Sequence, residues 1–367
     1  MAANPAQKLS EFGQSIWYDN ISKDLLDKGE LARLIEEDGV KGLTSNPTIF
    51  EKAIGGSSLY DQDISRISAD SSDPGEIFEE LAVADLARAA DLFLPVYEAT
   101  GGSDGFVSIE VSPLLASDSE GTVKEAERLY SKLNRPNVMI KIPGTPAGLP
   151  AIREVLEKGI SVNITLLFSV ENYVKVAEAH IEALEARVAK GEPVDRVQSV
   201  ASFFVSRVDS AIDKQLKGLV ESGQAEAKEL LGRFGIYNSR LAYQEYLGLY
   251  RSDRFKKLAE KGARPQRPLW ASTSTKDPSY RDVLYVEQLI GQDTVNTLPP
   301  ATLAAFVDHG EPATTIELEV EEAKGFQKKL ENLGIDVDGI LKTLQEEGVQ
   351  KFSDSFHSLN ATIKKQL

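Results

Sequence analysis

The chain has 367 residues, a formal net charge of −16, 41% hydrophobic and 27% charged residues, and no cysteine. The length suits one large domain or two ordinary ones, and the acidic balance argues against non-specific binding to nucleic acid or anionic lipid. The missing thiols exclude disulfides, thiolate metal sites, iron–sulfur clusters and a cysteine nucleophile.

No apolar run approaches the ~18 residues of a membrane-spanning helix. The opening MAANPAQKLSEFG has neither the basic n-region nor the apolar core of a signal peptide, so a cytoplasmic protein is expected. The three histidines, His180, His309 and His357, are scattered and read as solvated or structural residues. Serine–histidine chemistry and a multi-histidine metal site are therefore not expected, and no metal is assigned.

In chain order, the first β-rich run is SIWYDN (15–20), which carries Asp19 near its end. A helix over 30–37 ends in charge ahead of Gly39. VKGLTSN (40–46) follows, with Thr44 and Asn46, and residues 47–80 read as a long polar loop. GFVSIEVS (105–112) carries Glu110, and NVMIKIP (137–143) holds Lys141 in an otherwise apolar run. GTPAGLP then reads as a turn opening a helix near Leu149; it lacks the terminal Gly-Lys-Ser/Thr of a nucleotide P-loop.

ISVNITLLF (160–168) offers Asn163 and Thr165. In the next segment Tyr173, Val176, Ala177, Ile181 and Leu184 recur at near-helical spacing. QSVASFFV (198–205) carries Ser202, with Arg207 just beyond it. A helical insert rich in aromatic and basic residues is expected over 232–266. RPLWASTS (267–274) brings Ser272 and Ser274, with Lys276 following, and DTVNTLP (293–299) is the eighth run. Residues 313–367 read as two or three amphipathic helices able to pack on the outside.

Strands alternating with helical connections argue for a parallel sheet. Eight such units fit an α/β fold, a single (β/α)₈ TIM barrel of about 12–310 with extra helices, in one domain spanning 1–367. The near-continuous apolar strands agree with a sheet covered on both faces.

Barrel enzymes build their sites at the C-terminal strand ends, and there this chain gathers its polar residues. Lys141 either snorkels to water or is an amine held in a dry place. Desolvation of the second kind lowers a lysine pKa, and a neutral amine can attack a carbonyl to form a Schiff base. Such chemistry needs neither metal nor organic cofactor. Asp19 and Glu110 read as counter-ions or helix caps, or else as a general acid/base pair serving that amine. Nearby carboxylates would raise the lysine pKa while desolvation lowers it. Asn46 before Pro47 is a good helix start and is also placed for a substrate hydroxyl. Asn163, Thr165 and Ser202 either satisfy backbone groups or orient hydroxyls and a water. Arg207, Ser272, Ser274 and Lys276 serve as caps and a solvated cation, or as a phosphate site near the last strands.

GLTSNPTIF, VMIKIPGTPAGLPAI, GISVNITLLFSVENY, SVASFFVSRVD and DTVNTLPPATL occur in this order from about residue 12 to 310. Together they resemble the transaldolases, a Schiff-base (class I) aldolase-type barrel family of the pentose phosphate pathway. The resemblance implies transfer of a dihydroxyacetone unit from sedoheptulose 7-phosphate to glyceraldehyde 3-phosphate, giving erythrose 4-phosphate and fructose 6-phosphate, without a cofactor. It implies that Lys141 forms the imine and that Asp19 is the acid/base at the bond being cleaved. Glu110, with Thr165, would manage the water of imine formation. Thr44, Asn46, Asn163 and Ser202 would line the sugar site, and Arg207 and Ser272 would hold phosphate. Shorter members carry an arginine just after strand 7, where this chain offers only Lys276. The insert and C-terminal segment look like a longer branch, so the oligomeric state is not carried over. Two alternatives are a related aldolase releasing free dihydroxyacetone and a non-catalytic sugar-phosphate-binding barrel.

Overall fold

In a computed structural model, which describes residues 3–367, eight parallel strands close into a barrel in the order β1 to β8. The first two residues of the opening stretch read above lie outside the described residues. The strands are β1 (Gln14–Tyr18), β2 (Gly42–Thr44), β3 (Phe106–Glu110), β4 (Val138–Pro143), β5 (Val162–Leu167), β6 (Ser199–Phe204), β7 (Arg267–Ala271) and β8 (Thr294–Leu298). Seven lie inside the runs read from the sequence, β1 starts one residue before its run, and the expected (β/α)₈ barrel is what forms. The polar tails of those runs fall just past the strand ends, where the chain turns into helix or loop. Gly42 opens β2 because the indole of Trp17 lies 2.6 Å from where a Cβ would stand.

The register aligns the functional layer. Glu110 pairs with Lys141, and Lys141 with Asn163. Pro143 pairs with Thr165. At the opposite, N-terminal end, Asp104 accepts from Trp17 Nε1 at 2.7 Å, from Ser15 Oγ and from Arg267, which ties β1 to β7.

The segment 47–80 is not the long loop expected. Asn46 caps a helix, Pro47–Gly55, with Pro47 at its first turn, and Asp73 caps Pro74–Ala99 with Pro74 in the same role. A 3₁₀ turn at Ser58–Tyr60 and a short helix Asp61–Ile67 lie between. The polar composition that reads as loop is a set of caps and solvated helix faces.

The insert is helical, Phe234–Tyr250 and Asp253–Ala259. Its start is tied to the helix Ser206–Glu221: Gly232 N donates to Asp213 Oδ1 at 2.9 Å and Gly235 N to Asp209 Oδ1 at 2.6 Å. The last segment forms two helices, Val320–Asn332 and Val337–Lys364. The second does not pack on the outside as expected. It crosses the C-terminal mouth of the barrel, with Thr48 and Ser355 hydroxyls 2.8 Å apart and Gln345 Nε2 donating to Gly144 O at 3.2 Å and Leu166 O at 3.0 Å. No helix among the described residues is long and apolar enough to cross a membrane.

His180 is fully buried, with Nδ1 3.0 Å from Tyr250 Oη, and burial pushes its pKa down to about 3. His309 sits exposed between Asp282 and Asp308.

Burial pushes Asp209 up to about 7. Its unfolded value is about 3.9, so the folded chain favours the protonated form, and the associated stability is present below about pH 4 and lost as pH rises through about 7. Asp209→Asn keeps an acceptor for Gly235 N without the charge. Its Tm relative to the parent should therefore climb between pH 5 and pH 8. A difference that stays constant with pH would contradict this.

Candidate active site

A cavity of about 590 Å³ opens at the C-terminal strand ends. Lys141 stands in its wall, 5% exposed. The apolar neighbours Ile140 and Ile142 point away into the core, fully buried, because successive residues of a strand face opposite sides. The lysine therefore projects into the barrel mouth rather than snorkelling to the outer surface. Its Nζ lies 3.2 Å from Glu110 Oε2 and donates to Ser45 O at 3.2 Å. The ring of Phe352, from the C-terminal helix, sits above it at 5.6 Å.

The Glu110 side chain is 4% exposed. Burial pushes its pKa up, and the Lys141 charge opposes the shift. Lys141 is its charge partner, yet neither of its oxygens makes a well-directed hydrogen bond, and the buried Thr165 hydroxyl has no partner either among the described residues. The register puts Glu110 beside Lys141, and Thr165 two residue pairs further on, on the same face of the sheet as Asn163. Three buried polar oxygens with unmet hydrogen bonds near one amine make a place for a water and for protons in transit.

Asp19 reaches the cavity from the end of β1. Burial raises its pKa, opposed first by Lys141, then by a hydrogen bond from Thr44, then by Arg207 and Lys276. Thr44 Oγ1 donates to Asp19 Oδ1 at 2.7 Å and lies 2.6 Å from Thr297 Oγ1, which leaves Thr297 as the donor to Thr44. Two carboxylates of different surroundings thus flank one amine.

The other expected residues divide. Asn46 lines the cavity, and its Oδ1 also accepts from Ile49 N at 3.0 Å, so cap and site are one residue. Ser202 lines the cavity, but its hydroxyl is already given to Asn163 Oδ1 at 2.7 Å. Asn163 itself is fully buried, is not part of the cavity wall, and donates to Ser108 Oγ at 3.1 Å. Its seat below the layer leaves it holding Ser202 rather than facing the opening.

Arg207, Ser272, Ser274 and Lys276 gather at one end of the cavity. Burial lowers the Arg207 pKa, and its guanidinium rests over Phe204 at 5.0 Å. Ser272 adopts φ +57°, a left-handed conformation uncommon outside glycine, with its hydroxyl 2.9 Å from that of Ser206. Lys276 Nζ donates to Ser274 Oγ at 2.7 Å. Its pKa is lowered first by burial and then by Arg207, Lys351 and Lys52.

Lys52, Thr297, Lys351 and Phe352 also line the cavity and were not found from the sequence. Thr297, at the end of β8, meets the strand-end criterion that selected the others. Lys52, Lys351 and Phe352 lie on helices, where no strand periodicity marks them. Among the described residues no group of three or more His, Cys, Asp or Glu side chains is arranged to hold a metal.

Residues 16–363 match the family described as transaldolase/fructose-6-phosphate aldolase. A protein named transaldolase from Trichodesmium erythraeum is 47% identical, covering 100% of this chain and 98% of its own. One of the same name from Thiobacillus denitrificans is 46% identical, covering 98% and 99%. Another, from Frankia alni, is 47% identical, covering 100% and 98%.

The Thr44 hydrogen bond favours ionised Asp19. Thr44→Val should therefore move the Asp19 carboxyl titration, followed by carbon NMR, to higher pH. An unchanged or lower midpoint would contradict the assigned contact.

Proposed function

The chain belongs to the transaldolase/fructose-6-phosphate aldolase family, and from that membership we propose that Lys141 is the amine through which it transfers a dihydroxyacetone unit. The enzyme is a transaldolase, a transferase acting on sugar phosphates by way of a Schiff base. The observation that carries the assignment of residues is the 3.2 Å approach of Glu110 to a lysine only 5% exposed in the cavity wall.

Glu110, its pKa raised by burial, takes the proton from the ammonium of Lys141. The neutral amine adds to the ketone carbon of sedoheptulose 7-phosphate and forms a carbinolamine. Protonated Glu110 returns its proton to the carbinolamine oxygen, assisted by the Thr165 hydroxyl, and water leaves as the iminium forms. Asp19 then takes the proton of the hydroxyl on the carbon beyond the bond to be broken. The carbon–carbon bond cleaves, its electron pair flows into the iminium to give an enamine, and erythrose 4-phosphate departs. Glyceraldehyde 3-phosphate enters, and the enamine carbon bonds to its aldehyde carbon. Asp19 gives back its proton to the new alkoxide. Water, positioned by Glu110 and Thr165, adds to the iminium and releases fructose 6-phosphate and the free amine.

Thr44 and Asn46 line the sugar cavity, and Ser202 is oriented there by Asn163. Arg207, Ser272 and Lys276 receive the phosphate, a task suited to a bidentate guanidinium beside hydroxyl donors. No cofactor enters this scheme. The reading keeps the protein in the cytoplasm and its partners to small sugar phosphates rather than nucleic acid.

The second reading, release of free dihydroxyacetone, shares every step up to the enamine and differs in whether water's proton or the acceptor aldehyde reaches it first. Phe352 and the C-terminal helix cover the mouth above Lys141, which favours an enamine kept from bulk water. A coupled assay should find transfer to glyceraldehyde 3-phosphate well in excess of ketone release; equal rates would support the second reading. Lys141→Arg should abolish transfer with an unchanged circular dichroism spectrum. Asp19→Asn should lower kcat by about 10²–10⁴-fold, the range for a lost general acid/base. Substantial turnover in either variant would count against the assigned roles.

A further inference from the structure

We propose that Lys351, carried across the barrel mouth by the C-terminal helix, is a specificity-determining residue that recognises the substrate phosphate together with Lys52. The inference rests on the Schiff-base reading above and extends it to a helix that contributes no strand to the barrel.

Helix Val337–Lys364 is seated on the rim by one face. Gln345 bridges the ends of two catalytic strands, donating to Gly144 O just past β4 and to Leu166 O in β5. Leu166 holds φ +59° where the β5–β6 register shifts, which is what turns its carbonyl toward the helix. Gly348 lets the helix settle there, since a Cβ at that position would stand 2.8 Å from Leu166 Cδ2. Phe352 comes over Lys141, and Ser355 meets Thr48 on the helix that also carries Lys52. With 345, 348, 352 and 355 on the rim, the helical period brings Lys351 to the cavity edge.

The cations there come from four separate parts of the chain: Lys52 after β2, Arg207 after β6, Lys276 after β7, and Lys351. Lys276 feels the other three as like charges. Among the described residues none of the four has a salt-bridge partner, in a protein where most surface cations do, as Lys217 with Asp277 at 2.6 Å shows. Four cations share this cavity with Asp19, the carboxylate that Arg207 and Lys276 feel there, and the excess of positive charge in a chain of net charge −16 is one that an anion would complete. A phosphate monoester carries up to two negative charges and three acceptor oxygens, enough for several charge-assisted donors at once.

The test is borohydride trapping at Lys141, read by intact mass over a range of ketose concentrations. It compares fructose 6-phosphate with dihydroxyacetone, which forms the same imine but has no phosphate. Lys351→Met should raise the half-saturating concentration of fructose 6-phosphate about tenfold, the scale of one lost charged hydrogen bond, and leave that of dihydroxyacetone within about twofold. Lys351→Arg should stay near the parent for both. An equal shift for the two ketoses, or no shift for either, overturns the role of Lys351 while leaving the imine intact. Absence of any adduct in the parent protein overturns the Schiff-base reading and this proposal with it.

Discussion

The structure turns on one buried ion pair, Lys141 with Glu110 at 3.2 Å, both side chains nearly inaccessible. Such a pair is a poor source of stability, since desolvating two charges offsets their attraction, and leaving one partner alone typically costs about 3–5 kcal/mol. It is maintained by the scaffold around it. The strand register sets Glu110 directly beside Lys141, and the flanking Ile140 and Ile142 fill the core on the other side of the same strand. What the pair offers in return is chemical. Passing one proton from nitrogen to oxygen removes both charges from the dry site and leaves a nucleophile, and the burial that raises the Glu110 pKa favours that exchange.

The two carboxylates differ through their neighbours. Glu110 has only Lys141 to oppose its burial. Burial raises Asp19 as well, but there it is opposed by Lys141, Thr44, Arg207 and Lys276 together. Two carboxyl groups with different neighbours near one amine suit the proposed division of labour between imine formation and carbon–carbon cleavage. Two of the cations that temper Asp19, Arg207 and Lys276, are also among those proposed to receive the phosphate. The acidic chain as a whole and the cationic cavity are compatible because the cations are gathered from distant segments around one cavity at the barrel mouth.

Much of this was legible from residue order. Polar residues at the ends of apolar strands, above all Lys141 within VMIKI, point to the barrel mouth, where Asp19 and Thr165 line the cavity and Glu110 lies beside Lys141. Three things were not legible. The polar stretch after Asn46 looked like loop because capping residues and loop residues are the same types; only Pro47 and Pro74 at helix starts hint otherwise. Asn163 sits on a site strand yet lies beneath the cavity wall, a matter of depth within the barrel that period-two alternation does not reveal. The C-terminal helix is amphipathic as expected, but amphipathicity names a buried face without naming what buries it, so Phe352 over Lys141 and Lys351 at the rim are tertiary facts alone.

The central claim is that one particular nitrogen bonds covalently to a ketose. The most direct measurement is peptide mapping of the protein reduced with borohydride in the presence of fructose 6-phosphate. The account requires a single modified peptide, carrying the reduced dihydroxyacetone unit on Lys141. A modification on any other lysine, or spread over the exposed ones with Lys141 untouched, would contradict it.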